Sequence, residues 1–185
     1  MAVALAISMY NNANNVMLSW VWNGREEASE QRSIGLFYKD YPIAFTIEGK
    51  TKLKDLLALA KEQTLEGIAH GSLSYFDRPD LYQGHDVFCL LYQGDMYNCD
   101  KYSSFMKMTA EPLETDEFPC ACGNSPELEI LDSREEFGFI LDYNAAEYKR
   151  ESMERFIKRF TASCEMLLKA AENPEIAVGD IKNNE

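Results

Sequence analysis

The sequence predicts an α/β fold in which helices flank one largely mixed sheet. Two observations indicate this class: amphipathic helical patterns over about 51–68 and 149–171, and several short runs rich in strand-forming residues around and between them. With 185 residues, of which 46% are hydrophobic, the chain is long enough to bury one core. We therefore expect one layered domain over residues 1–172, followed by a flexible tail over residues 173–185.

The amino-terminal part of the chain contains a short helical pattern and three strand candidates. Ala2–Met9 is apolar and rich in alanine, which is typical of the end of a helix that begins upstream. Val16–Trp22 is apolar on both faces, as expected of a central strand that is covered on two sides. Ser33–Tyr38 and Pro42–Ile47 are two further candidates, and Pro42 indicates a break or a sheet edge.

The remaining elements follow from local periodicity. Thr51 is expected to cap a helix whose apolar residues recur at helical spacing up to residue 68. Asp86–Gln93 predicts a strand, and Glu127–Leu131 with Glu136–Tyr143 predicts a hairpin. The last helix covers about Lys149–Ala171 and carries one apolar stripe.

The charge balance excludes two classes of partner. The 31 Asp and Glu residues against 18 Lys and Arg residues give a formal net charge of −13, which repels nucleic-acid phosphates and anionic lipid. No apolar run approaches the roughly 20 residues of a membrane-spanning helix, and residues 1–8 lack a basic start and a cleavage site. We therefore expect no nucleic-acid partner, no membrane association and a cytoplasmic location.

The five cysteines, at positions 89, 99, 120, 122 and 164, do not form the spacing of a zinc site. Cys120 and Cys122 are the one close pair, and both histidines are far from them in sequence. The favoured interpretation is a loop with two free thiols, so the sequence predicts reduced cysteines and no metal ligand.

Two groups of polar residues merit a chemical interpretation. His70 closes the predicted helix, where a histidine is more often a structural hydrogen-bonding group than a base. Lys39 and Asp40 separate two strand candidates, and they are interpreted as a solvated turn rather than as an ion pair beside a cleft. Neither group forms an active site alone, so no catalytic residue is assigned.

The order of four segments resembles the second half of a nonribosomal peptide synthetase condensation domain. The segments are Ser-Trp-Val-Trp-Asn-Gly-Arg at 19–25, Ile-Gly-Leu-Phe-Tyr-Lys-Asp-Tyr-Pro-Ile at 34–43, the helix ending Ile-Ala-His at 68–70, and Leu-Asp-Tyr-Asn-Ala-Ala-Glu-Tyr at 141–148. The corresponding family segments read Gly-Arg, Gly-x-Phe-x-Asn-Thr-x-Pro, His-Gln-Asp and Tyr-Asn. The resemblance covers roughly residues 2–168.

The resemblance implies a chloramphenicol acetyltransferase-like layered sheet with flanking helices, of which this chain is the second lobe only. In that family, two lobes enclose a tunnel in which an acceptor amine attacks a donor thioester. Both substrates are tethered by phosphopantetheine arms to peptidyl carrier proteins. The proton-handling motif His-His-x-x-x-Asp-Gly lies in the first lobe, and no adjacent histidine pair occurs here. The resemblance therefore assigns this chain no catalytic residue and no directly bound cofactor.

The resemblance also implies a set of tunnel or interface candidates, namely Gly24, Arg25, Tyr38, Lys39, Asp40 and His70. Gly24 would permit a tight turn or a close backbone approach, and Arg25 would anchor a strand end or a carboxylate. The run from Tyr38 to Asp40 would line the tunnel wall. His70 matches the family histidine, although its following residues, Gly71 and Ser72, differ from the family pattern.

Departures from the family pattern keep other interpretations open. Lys39 and Asp40 stand where the family has Asn-Thr, and Ala44 stands where an arginine is frequent. A variant substrate, an altered subtype and a degenerate domain are each compatible with these changes, as are half of another two-lobed acyltransferase and a non-catalytic acidic interaction module. A lobe that shares an interface should expose apolar surface near Ala2–Met9 and at the strand edges beside Tyr38, which predicts homo-oligomers when the first lobe is absent.

Overall fold

A computed structural model of the chain describes residues 1–25, 27–70, 87–93, 125–132 and 137–182. Within these residues the strands are β1 (Asn15–Trp22), β2 (Lys39–Thr46), β3 (Phe88–Gln93), β4 (Glu127–Asp132) and β5 (Phe137–Asp142). The helices are α1 (Ala2–Asn11), α2 (Leu53–Ala69), α3 (Arg150–Glu172) and the short α4 (Val178–Lys182), with one 3-10 turn at Glu30–Arg32.

The strands form one mixed sheet in the order β2-β1-β3-β4-β5. β1 pairs antiparallel with β2 and parallel with β3, β3 pairs parallel with β4, and β4 pairs antiparallel with β5. This topology confirms the predicted mixed sheet, the inner position of β1 and the β4–β5 hairpin. Because β1, β3 and β4 are parallel, their carboxyl ends lie at the same end of the sheet.

The sheet has two faces of different character because side chains alternate along each strand. On the first, which we call the helix face, Leu18 pairs with Ile43 and Leu128 pairs with Leu141, and helices α1, α2 and α3 enclose the core there. The opposite face, here called the outer face, comprises Met17, Ser19 and Val21 of β1; Asp40, Pro42, Ala44 and Thr46 of β2; Cys89 and Leu91 of β3; Glu127, Glu129 and Leu131 of β4; and Gly138, Ile140 and Asp142 of β5.

Helix α1 lies inside the core and does not offer an exposed apolar surface. Val3 and Leu5 are 2% and 1% exposed, and α1 packs against α3 and β1. The helical prediction for Ala2–Met9 is confirmed, but the prediction that this segment exposes apolar surface is wrong. The physical reason is that the apolar stripe of α3 lies directly against it, with Phe156 and Phe160 in the same cluster.

Strand β2 corrects two further predictions. No strand covers Ser33–Tyr38; instead one strand begins at Lys39 and continues through Pro42 to Thr46. The interpretation of Lys39 and Asp40 as a solvated turn is therefore wrong, since both residues pair with β1. The prediction that Pro42 marks a sheet edge is confirmed, because β2 is an edge strand and an edge tolerates the missing N–H.

The residues that follow α3 fold back onto α2. The backbone N–H of Leu53 donates to the carbonyl of Ile176 at 2.9 Å, and the N–H of Val178 donates to the carbonyl of Thr51 at 2.9 Å. Val178 is 1% exposed. The predicted flexible tail is thus replaced over 173–182 by packed structure. Thr51 does not cap α2 through its side chain as predicted; its carbonyl instead holds this returning segment.

Candidate functional site

The six predicted site residues lie at one end of the sheet, where β1, β3 and β4 end. Gly24 and Arg25 directly follow β1, and Lys39 pairs with Trp22 at the last position of β1. In the last turn of α2, a Cβ on Gly67 would lie 3.7 Å from the Tyr41 ring, which brings His70 to this end as well. The antiparallel β1–β2 pairing brings the five predicted site residues from Gly24 to Asp40 together, and the packing of α2 against Tyr41 adds His70.

Gly24 makes the close backbone approach that its position predicts. Its φ is +63°, a left-handed conformation that favours glycine, and a Cβ there would lie 1.8 Å from the carbonyl oxygen of Phe37. Any larger residue would therefore push the chain before β2 away from the end of β1.

Among the described residues, Arg25 binds backbone carbonyls of the loop between β1 and β2 and no carboxylate. Its guanidinium donates to the carbonyls of Glu30, Ser33 and Gly35, the last two at 2.9 and 3.0 Å. It also lies 4.2 Å from the centroid of the Phe37 ring. We call residues 27–37 the Arg25 loop. A planar guanidinium presents its donors in a fixed fork, so it is pre-organised to hold several carbonyls at once.

The Arg25 loop and the residue after it present apolar side chains to solvent. Ile34 is fully exposed, Leu36 is 82% exposed and Tyr38 is 41% exposed. A loop fixed by hydrogen bonds that nevertheless exposes large apolar residues is typical of an interaction surface. The predicted apolar surface beside Tyr38 is therefore present, although it belongs to a loop and not to a strand edge.

Asp40 lies on the outer face and is half-buried. Burial, with a smaller contribution from the charge of Glu127, raises the pKa of Asp40 from 3.8 to about 6. Its Oδ1 atom is buried and has no hydrogen-bond partner among the described residues. Lys39 points to the helix face, since it pairs with Trp22, so the two residues cannot form the ion pair considered from the sequence.

Three residues that sequence reasoning missed lie near Asp40 on the outer face. Ser19 of β1 pairs with Cys89 of β3, which pairs with Glu127 of β4. Burial, then the charges of Glu127 and Asp40, raise the pKa of the Cys89 thiol well above its usual range, which disfavours the thiolate form that acts as a nucleophile. Ser19 carried a sequence signal, because it is a hydroxyl within an otherwise apolar strand.

His70 ends α2 and stands apart from this group. Its backbone N–H donates to the carbonyl of Glu66 at 2.9 Å, and its side chain is exposed. In the described part of the chain, no hydrogen bond joins His70 to a serine or a cysteine, and no cluster of three His, Cys, Asp or Glu residues could hold a metal. The described residues thus assemble no nucleophile–base pair.

A cleft of about 980 Å³ lies at the opposite end of the sheet from the six predicted site residues. Its walls are the end of α1, the start of α3 and the amino ends of β1 and β3, and they include Tyr10, Met17, Phe88, Tyr148 and Phe156. None of the six predicted site residues lines this cleft. No helix within the described ranges is long and apolar enough to cross a membrane.

Solved structures with the same fold include a nonribosomal peptide synthetase and several condensation domains. A four-domain nonribosomal peptide synthetase bound to AMP and glycine matches with a TM-score of 0.71 and 16% identity, over 97% of this chain and 15% of that chain. The first condensation domain of the CDA synthetase matches with a TM-score of 0.66 and 14% identity, over 96% of this chain and 39% of that chain. The condensation domain of the monacolin K polyketide synthase matches with a TM-score of 0.70 and 13% identity, over 96% and 41%.

These comparisons confirm the predicted fold class, a chloramphenicol acetyltransferase-like mixed sheet with flanking helices. The chain spans about two fifths of the length of the two condensation-domain structures and less of the four-domain synthetase. No curated protein sequence matches the chain. The family model of the condensation domain matches residues 1–183. Because this match extends over nearly all of its length, the chain belongs to the condensation domain family.

Proposed function

We propose that this chain is the second lobe of a condensation domain and that it forms one wall of the tunnel in which two carrier-tethered thioesters are joined by an amide bond. The observation that supports this proposal is that the Arg25 loop exposes large apolar side chains. A loop that is hydrogen-bonded to Arg25 and yet exposes Ile34 and Leu36 is typical of a surface that a partner covers, and it lies at the end of the sheet where Asp40 is also found. The first lobe is the partner that would cover it.

The proposed reaction is the attack of an acceptor amine on the carbonyl of a donor thioester. A C–N bond forms, the C–S bond breaks, the donor phosphopantetheine thiol leaves, and the amine loses one proton. Because a thioester is already activated, this aminolysis depends mainly on positioning and on removal of the proton. The described residues assemble no histidine-based pair, so this lobe would position the substrates and the first lobe would supply the His-His-x-x-x-Asp-Gly motif.

The partners follow from the same proposal. Two peptidyl carrier proteins would deliver the substrates on phosphopantetheine arms, which belong to the substrates and not to this chain. The replacement of Asn-Thr by Lys39 and Asp40 places a lysine towards the helix face and a carboxylate on the outer face. The tunnel wall would therefore be more acidic than the family pattern implies, which would suit a variant substrate.

The Arg25 loop can be tested with a matched pair of surface leucines. Leu36 is 82% exposed on the loop, and Leu168 is 71% exposed on α3. We expect Leu36→Asp to weaken binding to a separately produced first lobe at least about tenfold, because a charge would be buried at the interface, whereas Leu168→Asp should change it less than about twofold. Titration calorimetry measures both affinities, and the thermal midpoint of each variant controls for folding.

Equal effects of the two substitutions would contradict the assignment of the Arg25 loop to the interface. Loop-dependent binding of a first lobe without any condensation by the complex would instead favour the non-catalytic interaction module. Without a first lobe, the same exposed loop should promote self-association that grows with ionic strength. The reason is that salt screens the repulsion between highly acidic chains beyond roughly 8 Å but does not weaken apolar burial.

A further inference from the structure

Two buried oxygen atoms without partners lie close together on the outer face. Ser19 is 5% exposed, and neither its Oγ nor the Oδ1 of Asp40 has a hydrogen-bond partner among the described residues. Ser19 pairs with Pro42, and Asp40 is two residues before Pro42 on the same face. Such diagonal neighbours lie about 7–8 Å apart between their Cα atoms, so both side chains can reach one small group placed between them.

The surroundings of these two oxygens are acidic. Glu127, Glu129 and Asp142 lie on the same face, and none of the outer-face residues that the structure describes is basic. A buried polar atom that lacks a partner is energetically unfavourable, and few such atoms persist in a folded protein without a reason. The carboxylate oxygen of Asp40 can only accept and the hydroxyl of Ser19 can accept as well, so one hydrogen-bond donor would satisfy both atoms, and the local field favours a donor with a positive charge.

The chemistry of the site selects a primary ammonium group over a metal ion. A metal ion requires several ligands in fixed geometry, and the described residues hold no such set. An ammonium group carries three N–H donors, so it can donate to the Asp40 carboxylate and the Ser19 hydroxyl at once. The thiol of Cys89, beside Ser19, is protonated and does not compete for the cation.

We infer that Ser19 and Asp40 form a binding site for a primary ammonium group on the outer face. This assignment rests on the proposed function for its biological ligand: the group would be the amine of the acceptor aminoacyl substrate, held next to the tunnel wall before it loses its proton. The site as such requires only an aminoacyl amine, so it can be tested on this chain alone.

The test uses three stable probes that differ only at nitrogen. Alanyl-pantetheine amide carries a primary ammonium, its N-acetyl derivative has no charge, and its N,N,N-trimethyl derivative has the charge but no N–H donor. We expect the primary ammonium probe to bind the full chain at least about tenfold more tightly than either derivative, because only it provides both charge and donors. Titration calorimetry at low salt measures the three affinities.

Substitutions then test whether Asp40 and Ser19 are the residues that bind the ammonium group. Asp40→Asn should weaken binding of the primary ammonium probe about tenfold and Ser19→Ala about threefold, whereas Asp142→Asn, which removes a charge farther along the same face, should change it less than about twofold. Equal binding of the three probes, or an Asp142→Asn effect as large as that of Asp40→Asn, would overturn the inference. Loss of binding through misfolding is excluded for Asp40→Asn if its thermal midpoint does not fall.

The two proposals fail in different ways. If the primary ammonium probe binds through Asp40 but a two-lobed complex makes no amide, the ammonium site stands and the condensation function is wrong. If the complex makes amide but the three probes bind this chain equally, the function stands and the ammonium site is wrong.

Discussion

The two faces of the sheet differ in how their side chains are packed and hydrogen-bonded. On the helix face, Leu128 is fully buried and aromatic rings pack closely, with the centroids of Phe88 and Phe156 4.9 Å apart. On the outer face, the Oγ of Ser19 and the Oδ1 of Asp40 are buried and have no hydrogen-bond partner among the described residues, as is also true of Trp22 Nε1 on the helix face and Ser163 Oγ on α3. The same strands thus carry one closely packed apolar face and one that places a hydroxyl and a carboxylate in buried or half-buried positions, where a polar group without a partner is unfavourable.

The largest expected difference between the faces is in the loss of unfolding free energy when a leucine of β4 is replaced by alanine. Leu128 is 0% exposed on the helix face, and Leu131 is partly exposed on the outer face. We expect Leu128→Ala to lower the free energy of unfolding by about 2–5 kcal/mol, because it opens a cavity, and Leu131→Ala to lower it by about 1 kcal/mol or less. Chemical denaturation of both variants checks this, and equal losses would mean that the outer face is also a packed core.

A smaller effect of opposite sign is expected at Asp40. Burial raises its pKa from 3.8 to about 6 in the folded state, so ionisation of this group favours unfolding as the pH rises through this interval. Asp40→Asn removes the ionisation and should stabilise the chain by about 1–2 kcal/mol near pH 8, a figure reduced for the partial exposure of Asp40. Below the unfolded-state pKa both forms are neutral, and the gain should disappear.

Denaturation curves at several pH values between these limits test the sign of the Asp40 effect. Asp142→Asn on the same face provides the control for net charge. A stabilisation by Asp40→Asn that does not depend on pH would show that the Asp40 carboxylate is well solvated, and the contrast between the faces would then be weaker than described.

The smallest expected effect is a change in thiol reactivity. The pKa of Cys89 is raised by burial and then by Glu127, whereas Cys164 lies on α3 at a distance from the outer face. Glu127→Gln should therefore speed alkylation of Cys89 several-fold, with the rate at Cys164 unchanged as an internal control. Peptide mapping after timed alkylation measures both rates. An unchanged rate at Cys89 would mean that burial alone protects this thiol.

Local patterns predicted the elements whose residues interact mainly with near neighbours in sequence. The helical periodicity of α2 and α3 and the alternation of β4 and β5 were sufficient, and Pro42 correctly indicated a sheet edge. Ser33–Tyr38 misled because its exposed Ile34 and Leu36 alternate as strand residues do. The carbonyls of Ser33 and Gly35, which a strand would offer to a neighbour, are instead bound by Arg25, and this contact has no local signature.

The sequence predicted the candidate site only at a position where the residue type alone indicates the backbone conformation. Gly24 signals a close approach by its residue type, and the structure shows that approach. The group around Asp40 depends on how four neighbouring strands, β2, β1, β3 and β4, are paired and in which register. The β1–β3 and β3–β4 pairings connect residues far apart in the chain. A sequence without aligned relatives does not fix that register, so Ser19, Cys89 and Glu127 could not be placed beside Asp40.

The central claim is that this chain is one half of a condensing enzyme, and amide formation by the paired lobes tests it most directly. Two carrier proteins loaded with a donor and an acceptor aminoacyl thioester are incubated with this chain, with a first lobe that binds it, or with both, and the dipeptidyl thioester is measured by mass spectrometry. We predict product only when both lobes are present. Turnover by this chain alone, or no product from a stable complex of the two lobes, would contradict the account.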